Sequence, residues 1–239
     1  MAFYSDFAGS YEDIFPFRAE AAGFLERWLP RTGRILDVGC GTGRYCRHLD
    51  QAGRSCTGID LDPGMIDEAQ RLHPAGDFRL MGMEEVGLLG DSAFAGVFCI
   101  GNVLPHLPAA GLAGFLGAVR DLLRPGGIWI FQTVNFDPLL EFDQYVFPPI
   151  RSAGGELVFR RTYRGITPAR LSFATVLERD GEELFRGETD LYPRTVGDLA
   201  AGHRAAGFRL VAHVADWAGH AYDRAASGGS IFVWERSGS

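Results

Sequence analysis

Residues 35–44 read I-L-D-V-G-C-G-T-G-R. A short apolar run leads into Asp37, then Gly39, Gly41 and Gly43, then a segment of helical character. Glycines let a chain turn sharply and approach a ligand closely. The helix that follows offers unpaired N–H groups at its start. Asp37 falls at the carboxyl end of the first strand, where open α/β sheets bind ligands. Gly58-Ile59-Asp60 ends a second apolar run, and an acidic residue at that distance from a glycine loop accepts hydrogen bonds from ribose hydroxyls. The pattern fits a nucleoside ligand. For Asp60 the competing structural role is a charge at a helix start, because Asp62-Pro63 opens the next helix.

Two ligand classes use such a loop. Dinucleotides use G-x-G-x-x-G, which seats a pyrophosphate on the helix N-terminus. Here the third glycine comes one position early and Arg44 stands where it belongs. Asp37, two residues before the first glycine, repels a pyrophosphate and attracts an ammonium. A ligand with an amino group and a sulfonium suits that charge better than one with two phosphates.

The elements that must hold these residues follow from periodicity. Helices are expected at 18–29, 43–52, 63–72, 109–123 and about 195–206. Strands are expected at 34–38, 55–59, 78–81, 94–100 and 128–134, with Pro125-Gly126-Gly127 ending the helix before the fifth. The run F-A-G-V-F-C-I at 94–100 is apolar throughout, as a strand buried on both faces must be. Alternation of this kind predicts an α/β protein with a parallel sheet covered on both faces. After residue 135 the rhythm changes to three strands, 156–164, 170–178 and 183–192, with no helices between them. Asp180-Gly181 is a hairpin signal. Two more strands, about 208–215 and 230–236, close the chain. The segment 137–155, with Phe142, Tyr145, Phe147, Pro148 and Pro149, reads as a lid or a packed connection.

Composition narrows the chemistry. The chain has 239 residues, a formal charge of −7 and no lysine among its 23 basic residues. That removes Schiff-base chemistry and phosphate-loop lysines. The arginine bias itself reads as a consequence of GC-rich codons. The acidic balance argues against nucleic acid and anionic membrane as partners. Cys40, Cys46, Cys56 and Cys99 form no CxxC pair, which points to reduced thiols and a cytoplasmic protein, with no zinc site. The first twenty residues lack a secretory pattern, and no run of apolar residues is long enough for a membrane span.

Taken in order, the glycine loop, Gly58-Ile59-Asp60 with Met65 after it, Ile100-Gly101-Asn102 and Leu123-Arg124-Pro125-Gly126-Gly127 resemble the class I S-adenosylmethionine-dependent methyltransferases. The resemblance implies a Rossmann-like seven-stranded sheet, mostly parallel with the last strand antiparallel, carrying an antiparallel β insert after the fifth strand. It implies one methyltransferase domain over 1–239, with an N-terminal helical cap at 1–30 and a lid and insert at 137–192. It also implies S-adenosyl-L-methionine as cofactor. Asp37 and the backbone of Gly39 would hold its methionine part, Cys40 and Gly41 would also contact the cofactor, and Asp60 would bind both ribose hydroxyls. Leu61, Met65 and Met83 would enclose the adenine, and Ile100 would place a carbonyl near the ammonium. Many relatives carry Asp where this chain has Gly82, and Glu84 or water would replace it.

On the acceptor side, G-N-V-L-P-H-L at 101–107 follows the fourth strand directly. Asn102 is expected to orient a ligand and His106 to take a proton, with a packing role for His106 the alternative. This segment resembles small-molecule enzymes such as the glycine/sarcosine and amino-sugar N-methyltransferases, and the Asn/Asp-Pro-Pro-Tyr run of protein and nucleic-acid enzymes is absent. Tyr4 or Tyr11 would face the cofactor cation from the N-terminal cap. Arg151, Arg160, Arg161, Arg164 and Arg170 in the insert region read as solvated strand faces, or as a site for an anionic acceptor. Trp217, His220 and Tyr222 lie in a late loop that could reach the same cavity. The expected activity is methyl transfer to a nitrogen, or an oxygen, of a small molecule, by a monomer or homodimer with no metal. A non-catalytic cofactor binder and a nucleotide-dependent oxidoreductase are the alternatives.

Overall fold

The computed structural model describes residues 5–238. After a 3-10 turn at Ser5–Ser10 come α1 (Tyr11–Ile14), α2 (Ala19–Trp28), β1 (Arg34–Val38), α3 (Arg44–Gln51), β2 (Cys56–Asp60), α4 (Pro63–Leu72) and β3 (Asp77–Leu80). A 3-10 stretch at Met83–Leu89 leads to β4 (Phe94–Cys99), a 3-10 turn at Leu104–His106, α5 (Ala109–Leu122) and β5 (Leu123–Val134). Then follow β6 (Gln144–Val146), β7 (Ile150–Arg151), β8 (Leu157–Arg164), β9 (Leu171–Arg179), β10 (Glu182–Leu191), α6 (Val196–Ala205), β11 (Phe208–Val214) and β12 (Gly229–Arg236).

Seven strands form one sheet in the order β11-β12-β5-β4-β1-β2-β3. β12, the last strand, runs antiparallel to both its neighbours, and the pairs among β1 to β5 are parallel. Side chains alternate between two cores. Leu36, Val97, Trp129 and Phe131 face α5 and α6, while Ile35, Phe98 and Ile130 face α2, α3 and α4. This is the two-faced burial that the apolar runs required. The chain order reverses between β1 and β4, so their carboxyl ends leave a crevice at the switch point. Asp62 caps α4, with its Oδ1 accepting from the N–H groups of Gly64 at 3.0 Å and Met65 at 3.3 Å. The helix-start role therefore belongs to Asp62, which frees Asp60 for the crevice.

A second sheet, β10-β9-β8-β6 with β7 also on β8, is antiparallel throughout. Asp180 and Gly181 both have positive φ, 51° and 87°, as a two-residue hairpin of this hand demands. One expectation is corrected. Pro125-Gly126-Gly127 does not precede the fifth strand but lies inside β5, where the register with β4 jumps between Leu123 and Ile128. Such a bulge places Pro and Gly where ladder bonds are not required. The 137–155 segment contributes β6 and β7, short strands that pair with β8. No described helix is long and apolar enough to cross a membrane.

The N-terminal segment lies between the two sheets. Phe7 packs on Phe159 and Phe185 of the insert at centroid distances of 5.5 and 5.1 Å, and the Ser5–Ser10 turn packs against α4. Tyr4 lies outside the described residues.

Candidate active site

The glycine loop takes its shape from contacts that a side chain would prevent. Gly39 has φ +76°, and a Cβ there would sit 2.7 Å from the Val103 methyls. Gly43 caps α3 at φ +76°, where a Cβ would meet the Phe78 ring at 2.4 Å. Only glycine satisfies both conditions. The N–H groups of Gly39 and Cys40 donate to the Ile59 carbonyl at 2.8 and 2.9 Å, so the loop is stitched to the end of β2. What Gly39 retains for a ligand is its carbonyl oxygen.

Asp37 is 1% exposed. Its Oδ2 accepts a long hydrogen bond from Cys46 Sγ at 3.8 Å, while its Oδ1 is buried with no protein partner. Burial and the nearby Asp60 carboxylate push its pKa well above the usual carboxylate range. Such an oxygen is costly unless a ligand donor or cation meets it. Asp60 accepts from Gly41 N at 2.9 Å through Oδ2 and from Asp62 N at 2.9 Å through Oδ1. Burial raises its pKa as well, partly offset by those N–H groups. Each Asp60 oxygen keeps a second lone pair for a hydroxyl.

A cavity of about 440 Å³ opens at the crevice. From the large sheet it receives Asp37, Gly39, Cys40, Gly41, Ile100, Asn102, His106 and Gln132, and from the N-terminal cap Tyr11. The insert supplies Phe147, Phe159, Arg161 and Tyr163, and the late loop Trp217. Asp60, Leu61, Met65 and Met83 do not line it. Leu61 is 72% exposed, Met65 is 2% exposed, and Met83 packs against the α5-side core. The Ser5–Ser10 turn lies on α4, and a Cβ on Gly41 would be 3.6 Å from the Tyr11 ring. The cap thus covers the part of the crevice expected to hold an adenosine. A Cβ on Gly82 would lie 3.4 Å from Glu84 Oε2, so the Glu84 carboxylate occupies the neighbourhood of the missing Asp.

The cap is fastened to the glycine loop. Thr42 Oγ1 donates to Glu12 Oε1 at 2.8 Å, and Arg44 Nη2 pairs with the same oxygen at 3.1 Å. Arg44 Nη1 also donates to the Phe15 carbonyl. Arg44, which breaks the dinucleotide pattern, is therefore the residue that closes the cap. Burial and Asp60 raise the Tyr11 pKa, which keeps its phenol neutral beside the loop.

Asn102 sits at φ +64°, a conformation Asn tolerates better than most residues. Its Oδ1 accepts from Thr133 Oγ1 at 3.0 Å and Val134 N at 2.8 Å. Its Nδ2 donates to Tyr163 Oη at 3.2 Å. The amide is a brace between β5 and the insert. His106 lines the cavity, and burial lowers its pKa to about 4, so its imidazole is neutral at neutral pH. Arg194 fixes this turn, donating to the carbonyls of Leu104 at 3.3 Å and Leu107 at 2.5 Å. His220 is exposed and paired with Asp216, and Tyr222 Oη donates to Asn135 Oδ1 at 2.8 Å, so neither belongs to the cavity wall. No cluster of His, Cys, Asp and Glu suited to a metal occurs among the described residues.

The insert residues of the wall were only partly visible in the sequence. Phe159, Arg161 and Tyr163 alternate along β8, which puts them on one face. That alternation could be read in advance. Which face meets the cavity is decided by how the insert docks.

Comparison with known proteins agrees with this geometry. Residues 35–127 match the family model for a methyltransferase domain. The ubiquinone biosynthesis O-methyltransferase of Xanthomonas axonopodis pv. citri is 32% identical over 114 residues, 46% of this chain and 46% of that protein. The chain thus aligns with about half the length of the curated relatives it matches. The CcbJ methyltransferase of Streptomyces caelestis superposes with TM-score 0.82 at 21% identity, covering 99% of both chains. CalS10, an amino pentose methyltransferase from Micromonospora echinaspora solved with S-adenosylmethionine bound, gives 0.70 at 22% identity over 96% of this chain and 95% of its own. Residues 35–127 thus resemble a methyltransferase domain, and along its length the chain shares the fold of the CcbJ methyltransferase.

Proposed function

We propose that this protein transfers a methyl group from S-adenosylmethionine to a nitrogen of a small-molecule acceptor held between the sheet and the insert. The observation that carries the reading is the buried, unpartnered Asp37 Oδ1 beside the glycine loop. It answers the ammonium of that cofactor, and no diphosphate could sit there against a carboxylate. The bound cofactor supplies a methyl group already activated on a sulfonium. The remaining tasks belong to the chain. Asp37 holds the ammonium, with the carbonyls of Gly39 and Ile100 beside it. Asp60 accepts from the ribose hydroxyls, Met65 and Met83 support the adenine side, and Tyr11 presents its ring to the cationic centre. The cap and the insert exclude water, and the walls orient the acceptor, which is where most of the rate enhancement of such a displacement arises.

Nitrogen is favoured over oxygen by the proton inventory of the wall. His106 is a weak base at a pKa of about 4, and burial raises the phenols of Tyr11 and Tyr163. None is a strong base at neutral pH, and an amine needs none in the wall, because it can lose its proton to solvent and bind as its minor neutral form. The curated relatives bear O-methyltransferase names, but their match covers less than half of this chain. The buried free thiols support a reducing, cytoplasmic setting.

The experiment is incubation with methyl-labelled S-adenosylmethionine and a pool of small amines and alcohols. Label in an amine with stoichiometric S-adenosylhomocysteine is expected. Cofactor binding without turnover on any pool would leave a binding protein instead.

A further inference from the structure

The insert arginines are not equivalent. Arg160 Nε pairs with Glu178 at 3.1 Å, and Arg170 with Asp190 at 3.6 Å, both on exposed faces. Arg161 points the other way, into the cavity. Its guanidinium carbon lies 4.9 Å from the Phe147 ring centroid, and one Nη2 hydrogen goes to the Pro148 carbonyl at 3.3 Å. Its Nε is buried with no partner. No carboxylate pairs with it, and Asp37 is the only acid lining the cavity, among the described residues. Two residues along the same strand face stands Tyr163. Its oxygen already accepts from Asn102 Nδ2, which leaves the phenolic hydrogen to donate. Burial keeps that phenol protonated. Arg18 also borders the cavity but is exposed, and Arg44 is committed to Glu12.

We infer that the methyl acceptor carries an anionic oxygen group, a carboxylate or a phosphoryl group, bound by Arg161 and Tyr163 from the insert. The cavity then carries an acid and a free base, from different elements. Asp37 takes the cofactor's ammonium at the sheet, Arg161 takes the acceptor's anion at the insert, and Phe147, Phe159 and Phe173 add apolar wall to the same cavity. Arg161 is half-buried, but its Nε–H is buried without an acceptor, and an incoming oxyanion supplies both that acceptor and a counter-ion. Phe147 holds the guanidinium plane in place before the ligand arrives. This inference rests on the methyl-transfer reading of the cavity and adds the acceptor's chemical class to it.

The test is calorimetry on the full chain loaded with S-adenosylhomocysteine. Its probes are two matched sets: γ-aminobutyrate with its carboxamide and phosphonate analogues, and para-aminomethylbenzoate with the same analogues. In each set an anionic member should bind about tenfold or more tighter than the carboxamide, the scale of a charge-assisted bidentate contact. Preference for carboxylate or for phosphonate tells which oxyanion the site takes. Arg161→Gln should reduce the discrimination to about twofold while leaving S-adenosylhomocysteine affinity unchanged, and Tyr163→Phe should reduce it in part. Arg160→Gln, on the opposite face of β8, should leave it intact and controls for damage to the insert. Carboxamides binding as well as the anions, no anionic member binding, or discrimination surviving Arg161→Gln would each overturn the inference. A chain that binds no S-adenosylhomocysteine defeats the methyl-transfer reading instead, and the anion preference is then read on the unloaded chain.

Discussion

The Asn102 side chain donates to Tyr163 Oη at 3.2 Å across a sequence separation of 61 residues. One end of this bond sits in the turn after β4 and the other in the insert. The same Asn102 holds the last residues of β5 through its Oδ1. The bond therefore fixes the distance between the sheet-side wall of the cavity and its insert-side wall.

Asn102→Ala should be strongly destabilising. It strands Val134 N–H and Thr133 Oγ1 and puts a Cβ-bearing residue at φ +64° without the amide that suits it. The expected loss is about 2–4 kcal/mol, the sum of stranded buried donors. Tyr163→Phe removes one bond and should cost only about 1 kcal/mol. Urea unfolding of both single variants and the double variant gives the coupling, which should be positive and near the cost of one hydrogen bond.

His203 provides a pH dependence with a definite sign. It is fully buried, stacked between Phe131 and Trp234 at 4.8 Å from each. Its Nε2 accepts from Trp129 Nε1 at 3.0 Å, and its Nδ1 donates to the Leu199 carbonyl at 2.6 Å. Burial lowers its pKa from 6.5 to about 4. The unfolded chain then binds a proton that the folded chain refuses. Stability from this group is complete above pH about 6.5 and falls as pH drops toward 4, by up to about 3 kcal/mol. Unfolding free energies between pH 7.5 and 4.5 should show that slope, and His203→Leu should flatten it while lowering stability at neutral pH.

Much of this arrangement was legible in the sequence, for reasons that are local. Asp37 and the glycines declare a strand end and a turn that need no knowledge of the rest of the chain. The apolar run 94–100 declares a strand covered on both faces, and Asp180-Gly181 declares a hairpin. What was not legible depends on docking. Arg160 and Arg161 are neighbours of one type, and only the packing of the insert sends one to Glu178 and the other into the cavity. Strands β6 and β7, three and two residues long, exist only because β8 offers them an edge. Pro125-Gly126-Gly127 looks like a helix terminus and is instead absorbed into β5, because a register shift against β4 accommodates it. Cap closure by Glu12 on Arg44 joins residues whose own neighbourhoods show no sign of it.

That closure gives a further expectation. Glu12→Ala removes the acceptor shared by Thr42 and Arg44. Because Glu12 is partly exposed, the stability loss should stay below about 1 kcal/mol. The cap should nevertheless open more often, so limited proteolysis within residues 5–18 should accelerate and cofactor affinity should fall about threefold to tenfold. Asp13→Ala, one residue along and exposed, should change neither.

Asp37 makes the unliganded protein less stable than it need be. Its folded-state pKa is raised by burial and by Asp60. The stability it allows is full below the ordinary carboxylate range and is lost as pH rises through the raised value. Asp37→Asn should therefore raise the melting temperature of the unliganded chain at neutral pH, and the gain should shrink on acidification. Differential scanning calorimetry at pH 8 and pH 5 checks both statements.

The same carboxylate must be ionised to hold an ammonium, so cofactor binding should release a proton wherever the unliganded Asp37 is still protonated. Titration calorimetry of S-adenosylmethionine against the native chain and Asp37→Asn, in buffers of different ionisation enthalpy, reads affinity and proton release together. One cofactor per chain is expected, with affinity rising with pH. Asp37→Asn should bind about 10- to 100-fold more weakly, the scale of a lost charge-assisted contact, with the proton release abolished. Equal affinity for the two proteins, or tighter binding by Asp37→Asn, would contradict the assignment of this crevice to the cofactor's ammonium.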